Sequence, residues 1–162
     1  MRHRLLLLCA LLVGGCAEGG LPAMYESLAR EDVSINAEAA RDLVNQHRRQ
    51  AGLKPLSLDP ALMQAALAHA RDMAGHDKVG HDVSQGSMAK RLADRGIAYT
   101  AAAENVSAGY RTIADAVSGW RGSPPHNANM LRPDVRRMGI AAVYAPASKY
   151  KLFWTLIVTG GE

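Results

Sequence analysis

The chain has 162 residues, 48% hydrophobic, 21% charged and only 5% aromatic, with a formal net charge of +4. That length supports one domain with a real core and excludes a cofactor domain joined to a substrate domain. The composition excludes both a disordered chain and a multi-span membrane protein.

The first residues read as an export signal. Arg2, His3 and Arg4 form a positive head, and Leu5 to Val13 is an apolar run too short to span a bilayer, which takes about 20 residues. Val13-Gly14-Gly15-Cys16 follows and resembles a bacterial lipobox, in which the cysteine is lipidated and becomes the first mature residue. The plainer alternative is an ordinary secretory signal with an incidental cysteine. The expected division is a lipoprotein signal over 1–15, a lipidated Cys16 and tether over 16–35, and a domain over 36–162.

On this reading the chain sits in the cell envelope, held to the membrane through Cys16. Ala17 does not resemble the aspartate that retains lipoproteins at the inner membrane. In a Gram-negative source the expectation is therefore the outer membrane, facing the periplasm or the surface. Cys9 leaves with the signal, so the mature domain has no disulfide and no cysteine-based site. Loss of Arg2 and Arg4 leaves 17 basic residues against 15 acidic, a charge of +2 that gives little reason to expect nucleic acid. The basic pairs Arg48-Arg49, Lys90-Arg91 and Arg136-Arg137 read as solvated surface. A monomer is expected.

Residues 17–35 show no sustained period, with a short helix conceivable over 22–30. From Asn36, an N-cap, apolar residues recur at helical spacing until Gly52. Leu56 to Leu58 reads as an extended link. Asp59-Pro60 starts a second helix that ends near Gly75, with His69 on or beside its apolar stripe, as a packed histidine. Ser87 caps a third helix over 88–95. Residues 101–108 are ambiguous between strand and loop. A fourth helix over 112–120 stops before Ser123-Pro124-Pro125-His126, which cannot continue it. Two strands, 138–144 and 151–158, form a closing hairpin. Helices first and strands last argue for an α+β fold.

No phosphate-binding loop, zinc-protease helix or nucleophile elbow is present. A scattered polar set remains, read as loop residues: His81, Glu104, Asn105, Ser123 and His126. Two imidazoles and a carboxylate could hold zinc and leave a position open to water. They could equally be unrelated surface residues, since the two histidines lie 45 positions apart.

Taken in order, these pieces resemble the CAP superfamily, or SCP domain, which includes cysteine-rich secretory, antigen 5 and pathogenesis-related proteins. The opening piece is Asn45-Gln46-His47-Arg48 with Gly52-Leu53 and Leu56. Next come Asp59-Pro60-Ala61-Leu62, Ala68-His69-Ala70 with Met73, Gly80-His81 and Glu104-Asn105. Trp120 with Ser123-Pro124-Pro125-His126-Asn127-Ala128-Asn129-Met130-Leu131 matches the compact bacterial form, and Gly139-Ile140 and Trp154 close the series.

The resemblance implies a three-layer α-β-α sandwich with a small antiparallel sheet and a central cleft. It implies two histidines and two glutamates around that cleft, able to bind a divalent metal. His81, Glu104 and His126 carry over, with His81 and His126 as metal ligands. The fourth position is Ser123, which weakens the metal site. The implied functions are a binding module whose cleft takes a lipid-like ligand or an envelope partner, and a metal-assisted hydrolase with Glu104 as base.

Overall fold

The computed structural model describes residues 20–31 and 34–161. The expected signal and the expected lipidation site Cys16 lie outside the described residues.

The helices begin where capping chemistry places them. Asn36 Oδ1 accepts the Ala39 N–H at 2.9 Å and opens α1 (Ala37–Gln50), after which Gly52 takes the left-handed turn at φ 73°. Asp59 Oδ1 accepts from Ala61 and Leu62 and opens α2 (Pro60–Gly75), with proline at the position that needs no N–H. Ser87 caps α3 (Met88–Ala93) and Thr112 caps α4 (Ile113–Gly122). The prolines after α4 break it and at once start another helix, α5 (Pro124–Met130). This corrects the loop expected at His126.

Among the described residues four strands form one sheet: β1 (Ser57–Leu58), β2 (Ala101–Ala108), β3 (Arg137–Tyr144) and β4 (Leu152–Gly160), in the spatial order β1-β3-β4-β2. The ambiguous alanine-rich stretch is therefore strand β2, paired antiparallel to β4 along its whole length. The sheet is mixed, because the two-residue link β1 joins β3 in parallel. Asn45 fixes that link by donating to the Leu56 carbonyl at 2.9 Å and accepting the Leu56 N–H at 2.7 Å.

Side chains alternate across the strands and divide the core into two layers. Leu152, Trp154, Leu156 and Val158 of β4 pack with Val44 of α1 and Ile113, Val117 and Trp120 of α4. Ile157 and Ala141 pack on the other face with Leu62, Ala65, Ala66 and Ala70 of α2 and Leu92 of α3. The fold is α+β, with the sheet between two helical layers. Trp120 and Trp154 are both fully buried, their rings edge to face at 6.4 Å. Gly139 lets α2 lie directly on β3, since a Cβ there would come within 2.2 Å of the Leu62 backbone.

Two expectations are corrected. Among the described residues of the expected tether only Ala23–Tyr25 is helical, as a single 3-10 turn, and Leu28 is docked on the domain: it is buried in the core, and its N–H donates to the Arg111 carbonyl at 2.9 Å. Two of the basic residues read as surface are also interior. Arg48 is fully buried and donates to the carbonyls of Lys54, Met130 and Arg132, which ties α1 to the end of α5. Arg91 is 2% exposed. Buried guanidinium groups persist when their donors are paired.

Candidate functional site

β2 is an edge strand, and its consecutive residues Glu104 and Asn105 point to opposite layers. Each gathers the segment that carries one histidine, and the charge His81 can carry reaches His126, so the two histidines approach each other at this edge of the described sheet.

On the α2–α3 side, Glu104 is 5% exposed and uses both oxygens. Oε1 accepts from His81 Nδ1 at 3.0 Å, and Oε2 pairs with the Arg91 guanidinium. Arg91 also donates to the carbonyls of His81 at 2.6 Å and Gly86 at 2.8 Å. One cation therefore neutralises Glu104 and holds the loop that carries His81. Two residues of α2 hold the same loop. His69 Nε2 donates to the Gly80 carbonyl at 2.9 Å, and Asp72 accepts from the Ser84 hydroxyl and the N–H groups of Ser84 and Gln85. Burial lowers the His69 pKa, Glu104 opposes this, and the Arg91 charge adds to it.

On the α5 side, Asn105 donates to the His126 carbonyl at 3.0 Å and accepts from Asn129 at 2.9 Å. Asn129 also donates to the Glu104 carbonyl. Asn127 accepts from His47 Nε2 at 2.7 Å, so α5 is bound to α1 as well as to β2. Burial lowers the His126 pKa, and the charge that His81 can carry lowers it further. The second effect follows from two imidazoles facing one space. The His81 side chain is 61% exposed, and its Nε2 is the atom left for a ligand.

His81, Glu104, Asn105 and His126 thus converge, although only His81 lies in a loop. Ser123 sits at the joint between α4 and α5 and makes no side-chain cap bond. The sequence reading gave no role to Arg91 or Asn129. Arg91 had a signal: Met88, Arg91 and Leu92 share the inward face of α3 at spacings of three and four.

The donor set does not fit a zinc site of the expected kind. Among the described residues no group of three or more His, Cys, Asp or Glu is placed to hold a metal ion. Glu104 is committed to His81 and to a guanidinium that repels a cation. Two imidazoles remain, fewer than the three or four protein ligands of built zinc sites.

The model of the CAP, or cysteine-rich secretory protein, family matches residues 41–158. The uncharacterized protein YkwD of Bacillus subtilis is 32% identical over 116 residues, 71% of this chain and 45% of that protein. An extracellular SCP-domain protein of Bacillus anthracis superposes with a TM-score of 0.68 at 25% identity, over 76% of this chain and 40% of the other. An outer surface protein of Borrelia burgdorferi superposes at 0.70 with 14% identity, over 80% of this chain and 98% of the other. The chain spans less than half the length of both Bacillus proteins. With the family's model matched along most of its length and a relative 32% identical over 71% of it, the chain belongs to the cysteine-rich secretory protein (CAP) family.

Proposed function

We propose that this CAP domain is a binding module of the cell envelope, tethered through lipid on Cys16, whose β2-edge cleft takes a lipid-like ligand or an envelope partner. The observation that carries this reading is the Arg91–Glu104 pair. A general base must be free to take a proton, and a metal ligand must be free to face a cation. Glu104 does neither while Arg91 covers one oxygen and His81 the other. The exposed face of His81 and the half-buried His126 remain as contact groups for a ligand. An envelope location draws support from the signal pattern and from similarity to proteins described as extracellular.

The test is metal and lipid analysis of the protein purified from its own membrane. The expected result is zinc well below one per chain after dialysis, and a co-purifying lipid-like molecule that is lost in His126→Ala. Stoichiometric zinc with peptide hydrolysis that Glu104→Gln abolishes would establish the hydrolase instead.

A further inference from the structure

The sheet has a second open edge, opposite the cleft. β1 covers β3 only at Arg137 and Met138. From Gly139 to Tyr144, among the described residues, β3 has no strand on that side. The alternation of the ladder identifies the groups left over. The Met138 carbonyl accepts from Asp59 at 2.9 Å and the Ile140 N–H meets Met63 Sδ at 3.2 Å, whereas the Ala145 N–H bonds across the hairpin to Lys151. Even-numbered residues of β3 therefore turn their backbone groups away from β4. The Ile140 carbonyl, both backbone groups of Ala142 and the Tyr144 N–H face outward.

A trough of about 410 Å³ runs along this edge, lined by residues 140–143 of β3, by Ser34 and Ile35, and by the outer face of α2. Met63, Leu67 and Arg71 stand one turn apart on α2 and form its far wall. Met63 touches Ile140, so Arg71 stands towards Val143. Eight helical residues advance about 12 Å, the length of roughly four strand residues. Wall and edge therefore keep step. Arg71 is exposed, and among the described residues no carboxylate pairs with it.

We propose that the free edge of β3 docks an extended segment of a partner polypeptide as a fifth strand, with an apolar side chain against Met63 and Leu67 and a carboxylate against Arg71. Backbone groups in an apolar trough call for backbone partners, which an added strand supplies and an acyl chain does not. Natural edges are blunted by proline, lysine or a bulge, and residues 139–144 carry none of the three. The charge at one end gives the strand its direction. This site is independent of the cleft, which lies at the other end of the sheet.

The test uses the whole chain and two probes: a hexapeptide of alternating valine and threonine ending in aspartate, and the same peptide ending in lysine. Amide exchange is read residue by residue. The aspartate peptide is expected to slow exchange at Ala142 and Tyr144 about tenfold at saturation. It should bind about two- to fivefold tighter than the lysine peptide, as one exposed ion pair allows. Arg71→Glu should reverse that order. Ala142→Pro removes an outward N–H without touching the β3–β4 ladder and should abolish the protection, while Leu67→Glu serves if that variant fails to fold. Slow exchange at Ala142 and Tyr144 without peptide would mean that the chain's own segment covers the edge, and would overturn the proposal. So would a dimer in solution that Leu67→Glu dissociates, or peptide effects confined to the cleft.

Discussion

The carboxylate of Glu104 on β2 is paired with the guanidinium of Arg91 on α3, and both are almost wholly withdrawn from water. The carboxylate charge of Glu104 is thus spent inside the protein. What remains facing solvent is imidazole.

Removing one partner of this pair leaves the other charged and buried. Arg91→Ala should cost about 3–5 kcal/mol, measured by urea unfolding. The double variant Arg91→Met, Glu104→Leu removes both charges and should cost much less. Equal losses in the two variants would show that packing of the arginine stem, and not the charge, is what matters.

Trp120 and Trp154 anchor the layer formed by α1 and α4. Their indole N–H groups are satisfied by the Ser107 hydroxyl and the Tyr110 carbonyl. Either Trp→Ala change should cost about 3–5 kcal/mol through the cavity it leaves. Because the rings also hold each other, the double variant should lose less than the two single losses added together, by about 0.5–1.5 kcal/mol.

Acid should weaken the fold in two windows. His69 is held below the ordinary imidazole value by burial, so the unfolded chain gains its proton first. Its contribution is complete above about pH 6.5 and declines as pH falls below that value. Asp72 behaves differently: burial raises its pKa, but hydrogen bonds from Ser84 and Gln85 outweigh burial and leave it lowered. Its contribution persists above about pH 3.9 and disappears as pH falls through the lowered folded value. Melting temperature from pH 8 to 3 should show both declines, and His69→Gln should shrink only the first, in which the lowered His126 also titrates.

Cys16→Ser should release the chain from the membrane fraction or block its processing. Fractionation followed by mass measurement decides this, and unchanged attachment with unchanged processing would exclude the lipobox.

The starts of α1, α2 and α3 were legible because capping is local. Asn36, Asp59 and Ser87 each satisfy an N–H within three residues, so the sequence alone contains both partners, whereas α5 starts without a side-chain cap and was read as loop. The convergence of His81, Glu104 and His126 came only from the family resemblance, since nothing within 45 residues of spacing encodes a meeting in space. Arg48 and Arg91 were misread because composition treats a charge as surface. Their partners are carbonyls and a carboxylate from distant segments. β1 was read only as an extended link, because its parallel pairing with β3 depends on residues eighty positions away that a two-residue strand cannot announce.

β4 is the last element in chain order yet lies at the centre of the sheet, with every residue from Leu152 to Gly160 buried. A nascent chain that has reached only Ser148 has made β2 and β3 but not the strand that joins them. Neither helical layer can close over a sheet whose middle is missing. The domain therefore acquires its core only once β4 is in place, and then all at once.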